Sequence, residues 1–550
     1  MSAVALPSVY LDECVDINLV PLLKRRGFTL SHASIEGQRR RDPLRPGSRF
    51  LEISLGAESV SAATYARLSA CAIRVSPRWA LVALFALGAA GLQVYLQPRL
   101  EGLVFAEMLL EPWLILQGLM PYRDFYQQHA PLVSYLLAAV LAVAPQQAAT
   151  VVAVHTALVV ALTLGVVACG ARLGGPRLAV AGGVAYVLLL PRLDGGLPWL
   201  EPFVAADLLL LLPLLGASGV PRSRSAALVA GFVVGVGVLL KQTAAVGLLA
   251  IVACTLWAAQ EGRLSWRGAV EYVAASVVGG AVPLALAVLW FAAHGALGAF
   301  LDQTLFSNLR YAREAALAPS ETDWPVVVLM VALPLAALAV SVVDRPSRRL
   351  PPAAFVPLLA LGSLATLLPR YAEFHYQQAL PFLALSAGLL VCWLVQVRSA
   401  LDRARRPATL ALALVAGVAL ASVGALTVPL LVRLLPSPEV RLAEEPLDDD
   451  LAGWLAPRVQ PRERVLILGD TRLHLATNTL PATRHLYLFP WMYDASEVRA
   501  DAERTRPRYA VVDTAALDDP PTLDYLAQEY RLVYESGTVE VRERRREPSR

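Results

Sequence analysis

The stretch GLMPYRDFYQQHAPL, residues 118–132, places a group of polar side chains between two strongly apolar parts of the chain. It follows the first long apolar run, at 78–97, and it leads into a second apolar segment, PLVSYLLAAVLAVAP at 131–145. Polar and charged groups are costly inside a lipid bilayer. This stretch should therefore lie outside the hydrocarbon core. The side of the membrane on which it lies then determines the side of every later loop.

The composition is that of a membrane protein. Of the 550 residues, 56% are hydrophobic and 17% are charged, with a mean hydropathy of +0.54. Soluble domains carry about 25% charged residues, so a soluble globule is excluded. The formal net charge of +4 is too small to indicate a nucleic-acid partner, and topology explains the arginines better.

Eleven apolar runs are long enough to cross, or nearly cross, a hydrocarbon core of about 30 Å. We therefore predict an α-helical polytopic membrane protein with about eleven transmembrane helices. The first apolar run is full length and follows a polar segment, so we expect it to stay as an anchor. The runs lie at 78–97, 148–169, 178–191, 203–219, 226–240, 244–259, 268–292, 324–343, 353–368, 381–397 and 408–434.

The arginines between these runs indicate the orientation. They concentrate in alternate loops, which the positive-inside rule assigns to the cytoplasm: Arg172, Arg177, Arg222, Arg224, Arg263, Arg267, Arg345, Arg348, Arg349, Arg398, Arg403, Arg405 and Arg406. The N-terminus is then cytoplasmic and the C-terminus is outside the inner membrane of a bacterium. This assignment holds if 131–145 does not cross. We therefore interpret 131–145 as a juxtamembrane or re-entrant helix within a large external loop at 98–147.

The same topology gathers ionisable residues on the outer side. The external loop carries Glu101, Glu107, Glu111, Asp124 and His129, and later outer loops carry Glu201, Lys241, Arg370 and His375. Lys241 stands out because the chain contains one other lysine, Lys24. Ionisable groups at membrane depth usually mark a substrate path, so the pattern favours a functional site.

The order of these motifs resembles the GT-C integral membrane glycosyltransferases, which include the aminoarabinose transferases and the protein O-mannosyltransferases. The resemblance is carried by EMLLEPWLILQGLMPYRDFYQQHAPLVSYLL (107–137), by Lys241 in an outer hairpin, and by RYAEFHYQQALPFLAL (370–385) before a late apolar run. It implies a sugar transferase with a polyprenyl-phosphate donor. The acceptor would be a hydroxyl of a cell-envelope glycan, lipid or protein at the outer face, and the anomeric carbon would be inverted.

Such a transfer needs a carboxylate base for the acceptor hydroxyl and cations for the departing phosphate. We predict Glu107 as the base, ahead of Glu101 and Asp124; an adjacent acidic pair typical of the family is half missing here, at Leu100-Glu101. We assign the donor phosphate to Lys241, Arg370 and His375, and substrate binding to Tyr122, Arg123, His129 and Glu201.

Structural roles stay open for these residues. The acids also fit solvated loop charges, and Arg123 and Asp124 also fit a local ion pair. Lys241 also fits a snorkelling anchor, and Arg370 and His375 fit interfacial anchors. His129 also fits a helix cap, and Glu201 fits a partner for a helix N-terminus.

The chain ends differ from the membrane part. Residues 437–550 alternate strand-like and helix-like patterns, with strands expected in ERVLILGD, RHLYLF, RYAVVDT and the hairpin RLVYESGTVEVRER. They predict a small extracytoplasmic α/β domain after a transmembrane domain at 76–436. Residues 1–75 form a cytoplasmic segment in which 9–37 resembles a fragment of a PIN-like toxin nuclease, with Asp12 as its first metal acid. We expect no catalytic role for that fragment.

Two other functions share the lipid-linked substrate: an envelope polysaccharide polymerase or ligase, and a lipid-linked sugar transporter. A polymerase is expected to have its large loop late in the chain, and many transporters carry internal repeats; neither feature is evident here. Histidines and acids do not occur at metal-ligand spacing. We therefore predict no cofactor, while a divalent metal held by the outer acids remains an alternative.

Overall fold

The computed structural model describes residues 9–11, 29–32, 51–54, 77–100, 104–193, 196–314, 316–343, 354–368, 370–399, 407–435, 449–489 and 492–545. The chain divides into two units, at 1–77 and 78–550. In the first unit, three short strands form an antiparallel sheet of order β1-β3-β2: β1 Val9–Leu11, β2 Thr29–His32 and β3 Leu51–Ser54. β1 is the strand of the PIN-like resemblance, and Asp12 lies outside the described residues.

The second unit is mostly helical, and each of the eleven predicted apolar runs contains helix. In its membrane part the helices are α1 Pro77–Leu96, α2 Ala106–Leu116, α3 Leu132–Leu141, α4 Ala148–Leu189, α5 Glu201–Leu209, α6 Leu211–Leu215, α7 Arg224–Leu240, α8 Val246–Gln260, α9 Trp266–Ala293, α10 Leu297–Leu301, α11 Ser307–Glu314, α12 Trp324–Val343, α13 Phe355–Leu364, α14 Tyr376–Ser399 and α15 Pro407–Leu434. Within the described residues, seven helical segments are long and apolar enough to cross a membrane. The predicted polytopic helical class is confirmed.

Helix α4 consists of two arms that form a hairpin. Gly175 separates them with a φ of 74°, a left-handed conformation that glycine adopts without the steric cost of a Cβ, and Pro176 begins the second arm. A Cβ built on Gly170 would lie 2.9 Å from the carbonyl oxygen of Leu178, which shows that the arms pack side by side. The arms, 148–174 and 176–189, correspond to two separate predicted runs.

Helices α2 and α3 lie between the first long helix and α4. Ten residues of α3 extend for about 15 Å, which is half the thickness of a bilayer core. The turn between α2 and α3 contains two residues in the left-handed region, Gly118 at φ 86° and Tyr122 at φ 69°. This length is the one expected of a juxtamembrane or re-entrant helix, and that assignment of 131–145 stays a prediction.

Residues 449–545 contain a mixed five-stranded sheet of order β5-β4-β6-β8-β7, in which β5, β4 and β6 run parallel and β8 pairs antiparallel with β6 and β7. The strands are β4 Arg464–Leu468, β5 Leu480–Pro481, β6 Tyr509–Asp513, β7 Tyr530–Ser536 and β8 Val539–Arg544, and the helices are α16 Asp449–Leu455, α17 Leu473–Thr477, α18 Ala495–Thr505 and α19 Pro520–Glu529. The predicted small C-terminal α/β domain is therefore present.

Four of its five expected strands are present, as β4, β6, β7 and β8, and the β7–β8 hairpin turns at Gly537 with a φ of 59°. The expected strand at 484–489 is wrong, because this segment has no sheet partner among the described residues. It packs instead against the loop between α2 and α3: the N–H of Tyr126 donates to the carbonyl oxygen of Arg484 at 2.7 Å. Tertiary contact with the loop replaces the β-ladder that its apolar pattern predicted.

An apolar cluster joins α2 to the C-terminal domain. Leu110, Trp113 and Leu114 of α2 pack with Leu480 and Tyr487. Their contact places α2 and the C-terminal domain on one side of the helix bundle, which we call the loop side.

Close helix contact depends on glycine where α7 meets α9. A Cβ built on Gly231 would lie 1.9 Å from the carbonyl oxygen of Ser276, and one built on Gly279 would lie 2.0 Å from that of Leu228. Small residues let helix backbones approach closely in membranes, where apolar side chains gain little by leaving lipid. Backbone proximity at these positions packs α9 against α7, the helix that ends at Lys241.

Gly231→Ala is expected to lower the free energy of unfolding by about 3 kcal/mol, the upper range for overpacking, since a backbone atom must move. Gly417→Ala is the matched control. It has no neighbour within 4 Å of its Cβ position, so helix propensity should leave its stability equal or about 0.5–1 kcal/mol higher. Thermal and denaturant unfolding of the purified protein in detergent measures both. Equal stability of the two variants would contradict the close approach.

Candidate active site

A cavity of about 620 Å³ opens on the loop side, a volume typical of small-molecule sites. Five of the predicted site residues line it, and they come from separate elements of the chain: Glu107, His129, Lys241, Arg370 and His375. The cavity thus brings together one carboxyl group, two cations and two imidazoles. Aromatic and aliphatic side chains form most of the remaining wall.

Glu107 lies in the first turn of α2 and reaches the cavity while protein surrounds it on its other sides. Burial raises the pKa of its carboxyl group to about 7, because desolvation penalises the charged form. A carboxyl group with this pKa is ionised in a substantial fraction at neutral pH and still accepts protons readily. Such a group can take up a proton from a neighbouring hydroxyl at neutral pH.

Lys241, Glu201 and His375 form a buried ionic cluster behind one wall. Lys241 ends α7 in extended conformation, Glu201 begins α5, and His375 ends a short 3₁₀ turn before α14. The Lys241 ammonium donates to Glu201 Oε1, and His375 Nδ1 lies 2.6 Å from the same oxygen. Since the oxygen of a carboxylate accepts, Nδ1 carries the proton and Nε2 is the remaining ring nitrogen.

Glu201 is fully buried and Lys241 is nearly so, with side-chain exposures of 0% and 8%. An uncompensated charge there would be very costly. Glu201 therefore neutralises Lys241 and fixes the His375 ring, while Lys241 and His375 themselves reach the cavity. An ammonium has three N–H donors, so Lys241 retains donors for a ligand while it contacts Glu201.

An aromatic wall faces these charges. The ring of Trp199 lies 4.8 Å from that of Phe105, 5.7 Å from that of Phe374 and 5.6 Å from that of His129, centroid to centroid and edge to face. Burial, together with nearby Lys241, lowers the pKa of His129 to about 3. His129 is therefore a neutral hydrogen-bonding group at physiological pH.

Arg370 is held at the cavity by its neighbours in sequence. The N–H of Tyr371 donates to the carbonyl oxygen of Leu317 at 2.8 Å, which joins this segment to the loop before α12. Glu373, three residues on, accepts a hydrogen bond of 2.8 Å from Arg192. These contacts fix the short connection between α13 and α14 from which Arg370 and His375 enter the cavity.

The C-terminal domain supplies part of the cavity wall through Phe489 and Met492. His485 anchors this segment: its Nδ1 donates to the carbonyl oxygen of Met492 at 2.6 Å, and its ring stacks on Tyr126 at 5.9 Å. His485 Nε2 also contacts Glu497 at 2.7 Å. Phe489 remains 43% exposed, as expected for a side chain at an opening.

Four of the described site residues do not line the cavity: Glu201, which lies behind Lys241 and His375, and Tyr122, Arg123 and Asp124. Asp124 accepts hydrogen bonds of 2.9 and 2.8 Å from Arg123 and one of 2.8 Å from the Met120 N–H. Burial opposes its ionisation, but these bonds leave the pKa of Asp124 below its usual value. Tyr122 packs against Phe291 and donates to the carbonyl oxygen of His129 at 2.8 Å. The local Arg123–Asp124 pair is thus present, and Glu101 lies outside the described residues.

Sequence reasoning missed a buried polar chain that supports the loop. Gln127 Nε2 donates to Ser134 Oγ at 2.7 Å, and Ser134 donates to Glu111 at 3.0 Å. Gln303 accepts the Gln127 N–H at 2.9 Å and donates to the carbonyl oxygen of Tyr122 at 2.9 Å. Gln127 and Gln128 were visible in the opening stretch, but their partners Gln303 and Asn308 lie 176 and 180 residues away in the chain.

Sequence reasoning also missed the apolar lining, because no local pattern distinguishes a cavity aromatic from a core aromatic. Trp199 lies two residues before Glu201, and Phe374 lies next to His375, so proximity to the predicted charges was the available indication. Within the described ranges, no group of three or more histidines, cysteines or acids could hold a metal ion.

Solved structures share this architecture. ArnT from Cupriavidus metallidurans in the apo state aligns with a TM-score of 0.54 at 15% identity, over 85% of this chain and 98% of that one. The same protein bound to undecaprenyl phosphate gives 0.52 and 14%, over 84% and 98%. The chain has the fold of the GT-C membrane glycosyltransferases. The GT-C resemblance recognised in the motifs is confirmed at the level of fold.

A further GT-C neighbour is the Archaeoglobus fulgidus oligosaccharyltransferase tethered with an acceptor peptide, at a TM-score of 0.47 and 13% identity over 79% of this chain and 69% of that one. This likeness is too weak to support an argument. No protein-family model matches the chain, and no curated protein matches it in sequence.

The buried pair predicts strong coupling between Lys241 and Glu201. Glu201→Gln and Lys241→Met should each lower the free energy of unfolding by about 3–5 kcal/mol, since each leaves one buried charge unpaired. The double variant should be much less destabilised than the sum. Glu271→Gln, which removes the acid from an exposed pair with Arg224, should cost at most about 1 kcal/mol. Additive losses at Lys241 and Glu201, measured by denaturant unfolding, would contradict the cluster.

Proposed function

We propose that this protein is a membrane glycosyltransferase that takes a sugar from a polyprenyl-phosphate donor. The acceptor is a hydroxyl of a cell-envelope glycan, lipid or protein at the outer face of the membrane. One observation carries the proposal: the carboxyl group of Glu107 and the cations Lys241 and Arg370 line the same cavity. These are the groups that proton removal and phosphate departure require.

The proposed reaction is a direct displacement with inversion. The acceptor oxygen attacks the anomeric carbon and forms the new C–O bond, while the bond from that carbon to the phosphate oxygen breaks and its electron pair leaves with the lipid phosphate. Glu107 takes the proton of the acceptor hydroxyl. No co-reactant is needed, because charge passes from the carboxylate to the departing phosphate.

The donor phosphate is proposed to bind Lys241, Arg370 and His375. Arginine presents a planar fork that suits phosphate oxygens, and lysine acts as a compact charge. Glu201 acts behind them as a positioning residue, since it holds Lys241 charged and orients His375. The similarity to a structure of ArnT with undecaprenyl phosphate supports this donor class, because that ligand belongs to a protein of the same fold.

The sugar and acceptor are proposed to meet between the aromatic wall and the C-terminal domain. His129 and Trp199 offer a neutral donor or acceptor and an aromatic face, which suit a sugar ring. Phe489 and Met492 lie where an acceptor would enter, so the domain at 437–550 would cover or select the acceptor. In this proposal 76–436 is the catalytic membrane domain and 1–75 has no part in the reaction.

The proposed location is the bacterial inner membrane, with the N-terminus in the cytoplasm and the loop side outside. The arginine distribution supports this orientation. An outer-facing cavity also suits a polyprenyl-phosphate sugar, a donor that needs no cytoplasmic nucleotide at the point of transfer.

Glu107→Gln should lower sugar transfer by about 10²–10⁴-fold, the usual contribution of a general base. Proteoliposomes supplied with a panel of radiolabelled undecaprenyl-phosphate sugars and a membrane extract as acceptor measure transfer as labelled product. Asp124→Asn is the matched control, because Asp124 also lies in the first loop but not at the cavity; we expect it to retain most activity. Full activity of Glu107→Gln, or loss in Asp124→Asn alone, would overturn the assignment of the base.

The pH dependence should report the same residue. Because burial raises the Glu107 pKa to about 7, the base is protonated and inactive at lower pH. The rate should therefore rise about tenfold per pH unit up to about pH 7 and level off above it. Asp124→Asn should keep this profile, and a flat profile between pH 5.5 and 8 would contradict the role of Glu107.

The transporter alternative gives a different outcome in the same vesicles. A transporter would move labelled lipid-linked sugar to the other leaflet without forming a labelled product or releasing polyprenyl phosphate. That result, together with unchanged movement in Glu107→Gln, would replace the transferase proposal.

A further inference from the structure

A second cavity, of about 810 Å³, lies among α1, the second arm of α4, α14 and α15. Its lining is almost wholly aliphatic, with Val180, Val184, Val391 and Leu420 among the contributing side chains. Two arginines, Arg78 and Arg177, complete it. A long apolar surface with positive charge at one place is the combination that recognises an anionic amphiphile.

The arginines lie at the end of the bundle opposite the loop side. Arg78 is the second residue of α1, whose other end leads to the first loop, and Arg177 is the second residue of the second arm of α4. Helix α14 begins beside the active-site cavity at Tyr376 and reaches this second cavity at Val395. Nineteen residues of helix extend for about 29 Å, close to a full bilayer core.

The apolar surface continues from this cavity towards the loop side. A further hollow of about 380 Å³ shares Val184 and Leu188 with it and extends along α1 to Leu92. Gly88 and Ala89 of α1 leave the space open. From Arg78 to Leu92 the helix rises about 21 Å, which is more than the half-thickness of a bilayer core and accommodates one hydrocarbon chain of one leaflet.

Both arginines are exposed, and neither has a hydrogen-bond or ion-pair partner within the described part of the chain. Three other arginines at the same end are paired with acids: Arg224 and Arg267 with Glu271, and Arg263 with Glu261. A general excess of cytoplasmic arginine explains positive charge at this end. It does not explain why two guanidinium groups without a counter-ion share one apolar cavity.

We propose that this groove binds one anionic phospholipid of the leaflet opposite the active site. Its phosphodiester contacts Arg78 and Arg177, and one acyl chain lies along α1 and the second arm of α4. Basic pockets between transmembrane helices on the cytoplasmic side are suited to anionic headgroups. The length of the groove favours an acyl chain over a much longer polyprenyl chain, and the site is independent of the proposed transferase reaction.

Native mass spectrometry of the full-length protein, titrated with dioleoyl phosphatidylglycerol or dioleoyl phosphatidylcholine, tests the headgroup. We expect one phosphatidylglycerol to bind at least tenfold more tightly than phosphatidylcholine. The double variant Arg78→Gln/Arg177→Gln should lose that preference, since each arginine contributes separately to attraction of the anion. The matched control, Arg172→Gln/Arg222→Gln, removes the same charge from exposed positions at the same end and should keep it.

Gly88→Leu tests the acyl-chain path with both arginines intact. No atom lies within 4 Å of a Cβ at Gly88, so the side chain should fill the groove without unfolding the protein and should lower phosphatidylglycerol binding. Undecaprenyl phosphate forms a third arm of the titration. Equal binding of the two phospholipids, equal losses in the control, or displacement of phosphatidylglycerol by undecaprenyl phosphate in a manner dependent on Arg78 and Arg177 would each overturn the proposal.

Discussion

The contact between α2 and the C-terminal domain is the constraint on which the rest of the structure depends. Trp113 and its apolar neighbours in α2 bury their side chains against Leu480 and Tyr487, although hundreds of residues and a whole helix bundle separate them in sequence. The contact brings Glu107, in the first turn of α2, to the cavity that Lys241 and Arg370 also line.

The cavity on that side shows how a membrane protein keeps charges where water is scarce. Lys241 is neutralised by Glu201 from behind, so its charge is retained without an isolated ion in a poor solvent. The Asp124 carboxylate accepts hydrogen bonds from Arg123 and from the Met120 N–H, away from the cavity. Glu107 is different, because burial raises its pKa without a cation to offset it. Among the residues that line the cavity, Glu107 is the acid, and it shares that lining with Lys241 and Arg370.

The loop-side cavity and the groove beside α1 differ in the charged groups that line them. The loop-side cavity combines an acid with cations and aromatic rings, which suits a reaction on a lipid-borne sugar. The groove beside α1 combines aliphatic walls with two arginines and contains no acid among its lining residues in the described part of the chain. It can hold a charged lipid but offers no group to take a proton. Both proposals rest on the same requirement, that a lipid site combines an apolar surface with a partner for the headgroup.

The sequence by itself determined the class, the helical runs and most of the charged site. The eleven apolar runs each contain helix, as predicted. The prediction was possible because the thickness of the bilayer core sets the length of apolar helix that crosses it. Ionisable side chains are energetically costly at membrane depth. This cost drew attention to Lys241, Glu107, His375 and Arg370. Only the tertiary structure decided which of these residues lie together. It paired Glu201 with Lys241, placed Asp124 apart, and turned 484–489 from an expected strand into a cover for the loop. Those outcomes depend on contacts between residues remote in sequence, whose energies no local pattern encodes.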